Sequence, residues 1–208
     1  METSPLPAVT AATADDASTI IAADRWRLWS TLVRGLCHQL ANASQMLTLE
    51  PVPRGALEEA RERIAQGMLV MSAFRSPGGP SPTLLPAVLE DLDRLQRLQM
   101  DYPSTPLPVK ITPALPALDA PAEDLAHLLL GMVTLLKHGA GDRRAELAVT
   151  ASACDEGGEI VMTERMSPLE PVPSPALLAL ATLLHARLER APGGASLRLW
   201  LPAWKSDR

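Results

Sequence analysis

The sequence predicts an α+β fold: an N-terminal helical hairpin that pairs with a second copy into a dimeric four-helix bundle, followed by a small α/β sandwich. Three observations carry this expectation. Two stretches free of proline, 18–49 and 54–75, show apolar residues at helical spacing and are parted only by Glu50-Pro51-Val52-Pro53. From residue 84 onward, helical patterns alternate with short strand-like runs between prolines and glycines. The composition, 47% hydrophobic and 21% charged over 208 residues, is that of a packed chain of one domain or two small ones.

The elements follow in order. Residues 1–17 are small and polar with no apolar face, and read as a disordered tail. The helices 18–49 and 54–75 must fold back antiparallel across so short a break, giving a hairpin unit over 18–76. In the second helix Leu57, Ala60, Ile64, Gly67, Met71 and Phe74 repeat in heptad-like steps. An apolar seam this long is expected to be covered by a second hairpin. The run Ser76-Pro77-Gly78-Gly79-Pro80-Ser81-Pro82 reads as a linker. The α/β unit, 83–203, is expected to hold a helix 84–100, a strand 109–112, a helix 122–138, and strands 145–151 and 159–163 about a turn at 155–158. Ser174-Pro175 suits the start of a helix running to Arg190. Gly193-Gly194 turns the chain into a last strand, 196–201.

Composition also excludes several classes. A net charge of −5 and a pI near 5.4 argue against a nucleic-acid binder, which needs a basic face. Cys37 and Cys154 are too few for a disulfide framework, and no spacing suggests a metal site. There is no signal-like N-terminus and no long uncharged apolar run, so a cytoplasmic protein without membrane contact is expected.

The most informative feature is the first helix. At about 100° per residue, Trp29, Leu32, Leu36, Leu40, Ala43 and Leu47 fall on one side and form the expected buried stripe. Arg27, Thr31, Arg34, His38, Asn42 and Gln45 fall on the opposite face. His38 therefore points to solvent with Asn42 one turn ahead and Arg34 one turn behind. A solvent-facing neutral imidazole is a ready nucleophile. Arg34 is placed to stabilise an incoming anion, and Asn42 to orient a reacting group or a water.

The segment Leu36-Cys37-His38-Gln39-Leu40-Ala41-Asn42-Ala43 resembles the phosphoacceptor box of two-component histidine kinases. There, a His and an acidic residue are followed by Asn or Thr four positions after the His. The order of elements after residue 84, ending in Leu201-Pro202, resembles the ATP-binding domain of the same family, and the resemblance covers roughly residues 20–202.

The departures are informative. Aligned on the helix that ends Lys137-His138-Gly139-Ala140, the asparagines that hold Mg²⁺ in kinases fall on Met132 and Leu136, which have no oxygen to offer a hard cation. The glycine-containing adenine box falls on Glu164-Arg165-Met166-Ser167-Pro168, and no second glycine-rich box precedes Pro175. Gln39 stands where kinases carry an acid, and it cannot take a proton.

A His helix beside a degenerate ATPase-like domain resembles the ChpT-type histidine phosphotransferases of bacterial phosphorelays. That resemblance implies a shuttle of phosphoryl groups between receiver-domain aspartates through His38, supported by Asn42, Arg34 and Gln39. It implies no cofactor of the chain's own, with Mg²⁺ in the partner receiver domain. The rival reading is a kinase-derived dimer that binds or sequesters a response regulator or a kinase without carrying phosphate.

The other signals are weaker. His127, His138 and His185 read as structural side chains on helices. Cys37 and His38 diverge by about 100° as helical neighbours and make no nucleophile–base pair. Met68 and Met71 read as core, Trp200 and Trp204 as packing or edge residues.

Overall fold

The computed structural model describes residues 14–73, 82–99, 106–140, 145–155, 157–165, 170–191 and 195–205. The expected linker, the Gly193-Gly194 turn, most of the tail and most of the degenerate adenine box lie outside the described residues. The elements run α1 (Ala14–Leu47), α2 (Ala56–Ala73), β1 (Pro82–Thr83), α3 (Leu85–Gln96), β2 (Val109–Ile111), β3 (Leu118–Asp119), α4 (Ala122–Ala140), β4 (Leu147–Cys154), β5 (Gly157–Glu164), α5 (Pro175–Leu183), β6 (Arg187–Arg190) and β7 (Ala195–Pro202).

Five strands form a mixed sheet in the order β2-β4-β5-β7-β6, parallel only between β2 and β4. In β4, β5 and β7 alternate side chains are buried, so one face packs on helices and the other meets solvent. Ile160, Met162, Leu197 and Leu199 line the inner face beneath α4. On the outer face Ser152, Glu159, Trp200 and Arg187 stand in register. Trp200 lies under two guanidinium groups, Arg187 at 4.9 Å and Arg198 at 5.4 Å from the ring centre.

α4 is the central pillar. Its run Leu125–Val133 is buried on every side, which a helix tolerates only when other elements surround it. α3 and α5 flank it, and Leu28, Leu32 and Leu36 of α1 and Val70 of α2 join the same core as the sheet residues. Two glycines set close approaches. A Cβ on Gly35 would stand 1.9 Å from the Leu98 carbonyl oxygen, and one on Gly131 would stand 2.4 Å from Leu177 Cδ2. α1 thus meets the end of α3 at a distance only glycine permits, and Leu177 of α5 lies against the bare backbone of Gly131.

Four expectations are corrected. First, α1 begins at Ala14, inside the expected disordered tail, with Asp15 and Asp16 in its first turn, where acids suit the helix dipole. Second, the buried stripe of α1 is shorter than its periodicity implies: Leu32, Leu36 and Ala43 are buried, but Leu40 and Leu47 are 36% and 39% exposed. Met68 and Met71, read as core, are 70% and 72% exposed on α2. Among the described residues nothing is laid over these side chains.

Third, α3 stops at Gln96 rather than Met100. Fourth, the last helix stops at Leu183 and not Arg190. Its start follows expectation, with Ser174 Oγ accepting the Leu177 N–H at 3.2 Å and Pro175 in the first turn. Its end is a Schellman motif: Ala186 N–H donates to the Ala181 carbonyl at 2.8 Å and His185 N–H to that of Thr182 at 3.1 Å. His185 takes the left-handed conformation, φ 52°, so it is a helix stop rather than a helical residue. The chain then enters β6, whose Leu188 faces Leu199.

Candidate functional site

His38 lies in the last third of α1, beyond the stretch that α4 and α5 hold. Leu36 packs beside Gly67 of α2, and Gly35 abuts the end of α3. These contacts anchor one side of the helix and leave the other in water. His38, Asn42, Arg34 and Gln45 are exposed there. Asn42 Nδ2 donates to His38 Nε2 at 3.3 Å, a contact that the four-residue spacing makes available. An amide N–H needs a lone pair, so this bond pairs with the tautomer that carries its proton on Nδ1.

Arg34 is exposed one turn before His38. Gln39 is not part of this group: it is half-buried, and its Oε1 is enclosed without a hydrogen-bond partner among the described residues. A carboxylate there would face the same enclosure while charged, so a neutral amide suits the position better than an acid. Met132 and Leu136 are buried in the core, at 0% and 1% exposure, and present no ligating atom to solvent. Among the described residues no cluster of His, Cys, Asp and Glu is arranged to hold a metal.

A second polar group lies on α1 three to four turns before His38, and sequence reasoning missed it. Asp24 Oδ2 accepts from His127 Nε2 at 3.1 Å. Its other oxygen, Oδ1, accepts from Arg27 Nε at 3.1 Å and Nη2 at 2.7 Å. Next to it, Arg25 pairs with Asp124 in the first turn of α4. Burial pushes the Asp24 carboxyl up, but the hydrogen bonds from His127 and Arg27 outweigh it and hold it below the usual carboxylate range. The partners stand about a hundred residues apart, so only the spacing Asp24-Arg25-Arg27 was visible in sequence.

No family model matches the sequence, and no curated protein matches it. Solved structures do. The chain is similar in fold to histidine-kinase structures. One neighbour, a bacterial phosphotransferase, aligns at 16% identity and a TM-score of 0.47, over 91% of this chain and 97% of its own. A histidine kinase from Burkholderia phymatum aligns at 16% identity and 0.47, over 94% and 100%. The ATP binding domain of PrrB from Mycobacterium tuberculosis aligns at 21% identity and 0.45, over 62% and 100%. No helix of the described residues is long and apolar enough to cross a membrane.

Proposed function

We propose that this chain is a histidine phosphotransferase of a two-component phosphorelay, passing a phosphoryl group between receiver-domain aspartates through His38. The observation that carries the reading is the exposed pair His38–Asn42 on the face of α1 that also presents Arg34 one turn before it. In the forward step the His38 Nε2 lone pair forms a bond to phosphorus as the acyl-phosphate P–O bond breaks, and the receiver aspartate leaves as a carboxylate. Such a loose, charged transition state asks mainly for positioning and cations. Mg²⁺ belongs to the receiver, and Arg34 supplies positive charge from this side. The reverse step returns the phosphoryl group to a second receiver. Met132 and Leu136, apolar and buried where the resemblance calls for metal-holding asparagines, support transfer without ATP.

The working form we propose is a homodimer. Trp26, Val33, Leu40 and Leu47 on α1, and Leu57, Ile64 and Met71 on α2, repeat at intervals of seven. Leu57 and Ile64 are each 59% exposed in the single chain. A contiguous apolar stripe of this length marks an association surface, and a second hairpin in a four-helix bundle covers it.

The test is to mix the purified protein with phosphorylated receiver domains and look for acid-labile label on it. Label on wild type and none on His38→Gln supports the reading. Label on the His38→Gln variant, label taken directly from ATP, or no label from any receiver of the source organism overturns it.

A further inference from the structure

Arg27 and His38 are eleven residues apart, three helical turns, so they lie within about 20° of each other and about 16 Å apart along α1. Between α1, α4 and the start of α5 there is a cleft of about 260 Å³, lined by Arg27, Thr134, His138, Ser174 and Leu177 among others. None of its lining side chains is acidic. Its size falls below the usual range for small-molecule and cofactor sites, yet it admits one side chain. A small domain about 30 Å across, seated between them, covers both His38 and the cleft.

We infer that this cleft is a docking pocket for a single acidic side chain of the protein that seats on His38, and that Arg27 is the residue that recognises it. The inference rests on the phosphotransfer reading and names the second contact of the same partner.

The geometry of Arg27 is the argument. One edge of its guanidinium, Nε and Nη2, is fixed on Asp24 Oδ1, and Asp24 is fixed in turn by buried His127. Among the described residues the Nη1 edge remains for a ligand, and the side chain is 59% exposed at the cleft. An arginine held on one edge presents the other already oriented, so little rotamer freedom is lost when a carboxylate binds. His138 is exposed on α4 at the same cleft. Thr134 contributes shape rather than a hydrogen bond: its hydroxyl donates to the Leu130 carbonyl and accepts from Gln99 Nε2. Asp24 and His127 are positioning residues, acting through Arg27.

Receiver domains of the source organism, each produced alone, serve as probes for two measurements: calorimetric binding at 50 and 300 mM salt, and the rate of label transfer to His38. Arg27→Glu is expected to weaken binding and raise KM about tenfold at low salt, less at high salt, with kcat within about twofold. Arg27→Lys keeps the charge without the fork and should recover part of the loss. Asp24→Asn should raise KM with kcat retained.

A receiver that binds wild type but not Arg27→Glu upholds the inference even if no label reaches His38, in which case the phosphotransfer reading alone fails. Equal binding to wild type and Arg27→Glu overturns the inference while labelled His38 keeps the functional reading. A fall in kcat without a change in KM also overturns it. Binding by no receiver overturns both.

Discussion

Asn42 Nδ2 stands 3.3 Å from His38 Nε2, so the residue one turn ahead selects the imidazole tautomer protonated on Nδ1, and its N–H must leave the Nε2 lone pair before that nitrogen attacks. A carboxylate at position 42 does the opposite, accepting from Nε2–H and favouring the form that cannot attack through that nitrogen. Asn42→Ala frees that lone pair and should leave label acceptance within about twofold of wild type, the worth of a solvent-exposed pair at this spacing, whereas Asn42→Asp should slow it. Nitrogen-15 spectra of the His38 ring should show less Nδ1–H tautomer in both variants. An Asn42→Asp protein that accepts label at wild-type speed removes Asn42 from the mechanism.

Gly35 and Gly67 face different obstacles, and their alanine variants should differ in sign. A Cβ at Gly35 meets the Leu98 backbone oxygen, which moves only if the end of α3 moves, so Gly35→Ala should cost about 1–3 kcal/mol. A Cβ at Gly67 comes 3.2 Å from Leu36 Cδ2, the tip of a side chain that can yield, and alanine in a helix gains up to about 1 kcal/mol over glycine. Urea denaturation should place Gly67→Ala at or above wild type and Gly35→Ala clearly below it.

Lys137 is buried between α3 and α4, where its Nζ donates to the Gln96 carbonyl at 3.0 Å and to Gln99 Oε1 at 3.4 Å. Burial lowers its pKa to about 8 from 10.5, against the opposing attraction of Asp93. Above pH 8 the native protein has released this proton while the unfolded chain still holds it, so stability should rise from pH 8 toward 10.5. Lys137→Met should lack that rise. Parallel pH profiles of melting temperature for the two proteins contradict the assignment.

The seam of the hairpin makes a prediction about mass. Light scattering of wild type at ten micromolar, a concentration chosen on the order of a modest dimer affinity, should give twice the chain mass. Ile64→Glu, which places a charge on the proposed interface, should give one chain mass with its helical circular dichroism kept. Wild type at one chain mass sinks the dimer.

The sequence by itself determined the elements whose signal is local. Apolar periodicity located α1, α2 and α4, alternation located β4, β5 and β7, and Ser174-Pro175 marked the start of α5. The exposed face of α1 was legible for the same reason, because a helix turns sequence spacing directly into direction.

Tertiary structure decided the rest. Leu183-Leu184-His185-Ala186-Arg187-Leu188 continues a helical pattern, yet the chain turns at His185 because β6 completes the sheet edge against β7. Leu40 and Leu32 carry the same side chain and differ only in what lies across from them: the core covers Leu32 fully, and the described residues leave Leu40 36% exposed. Asp24 and His127 are 103 positions apart, and no periodicity announces their bond. Which polar groups meet across such a distance depends on how α1 packs on α4, and that packing follows from the whole core rather than from any window of the chain.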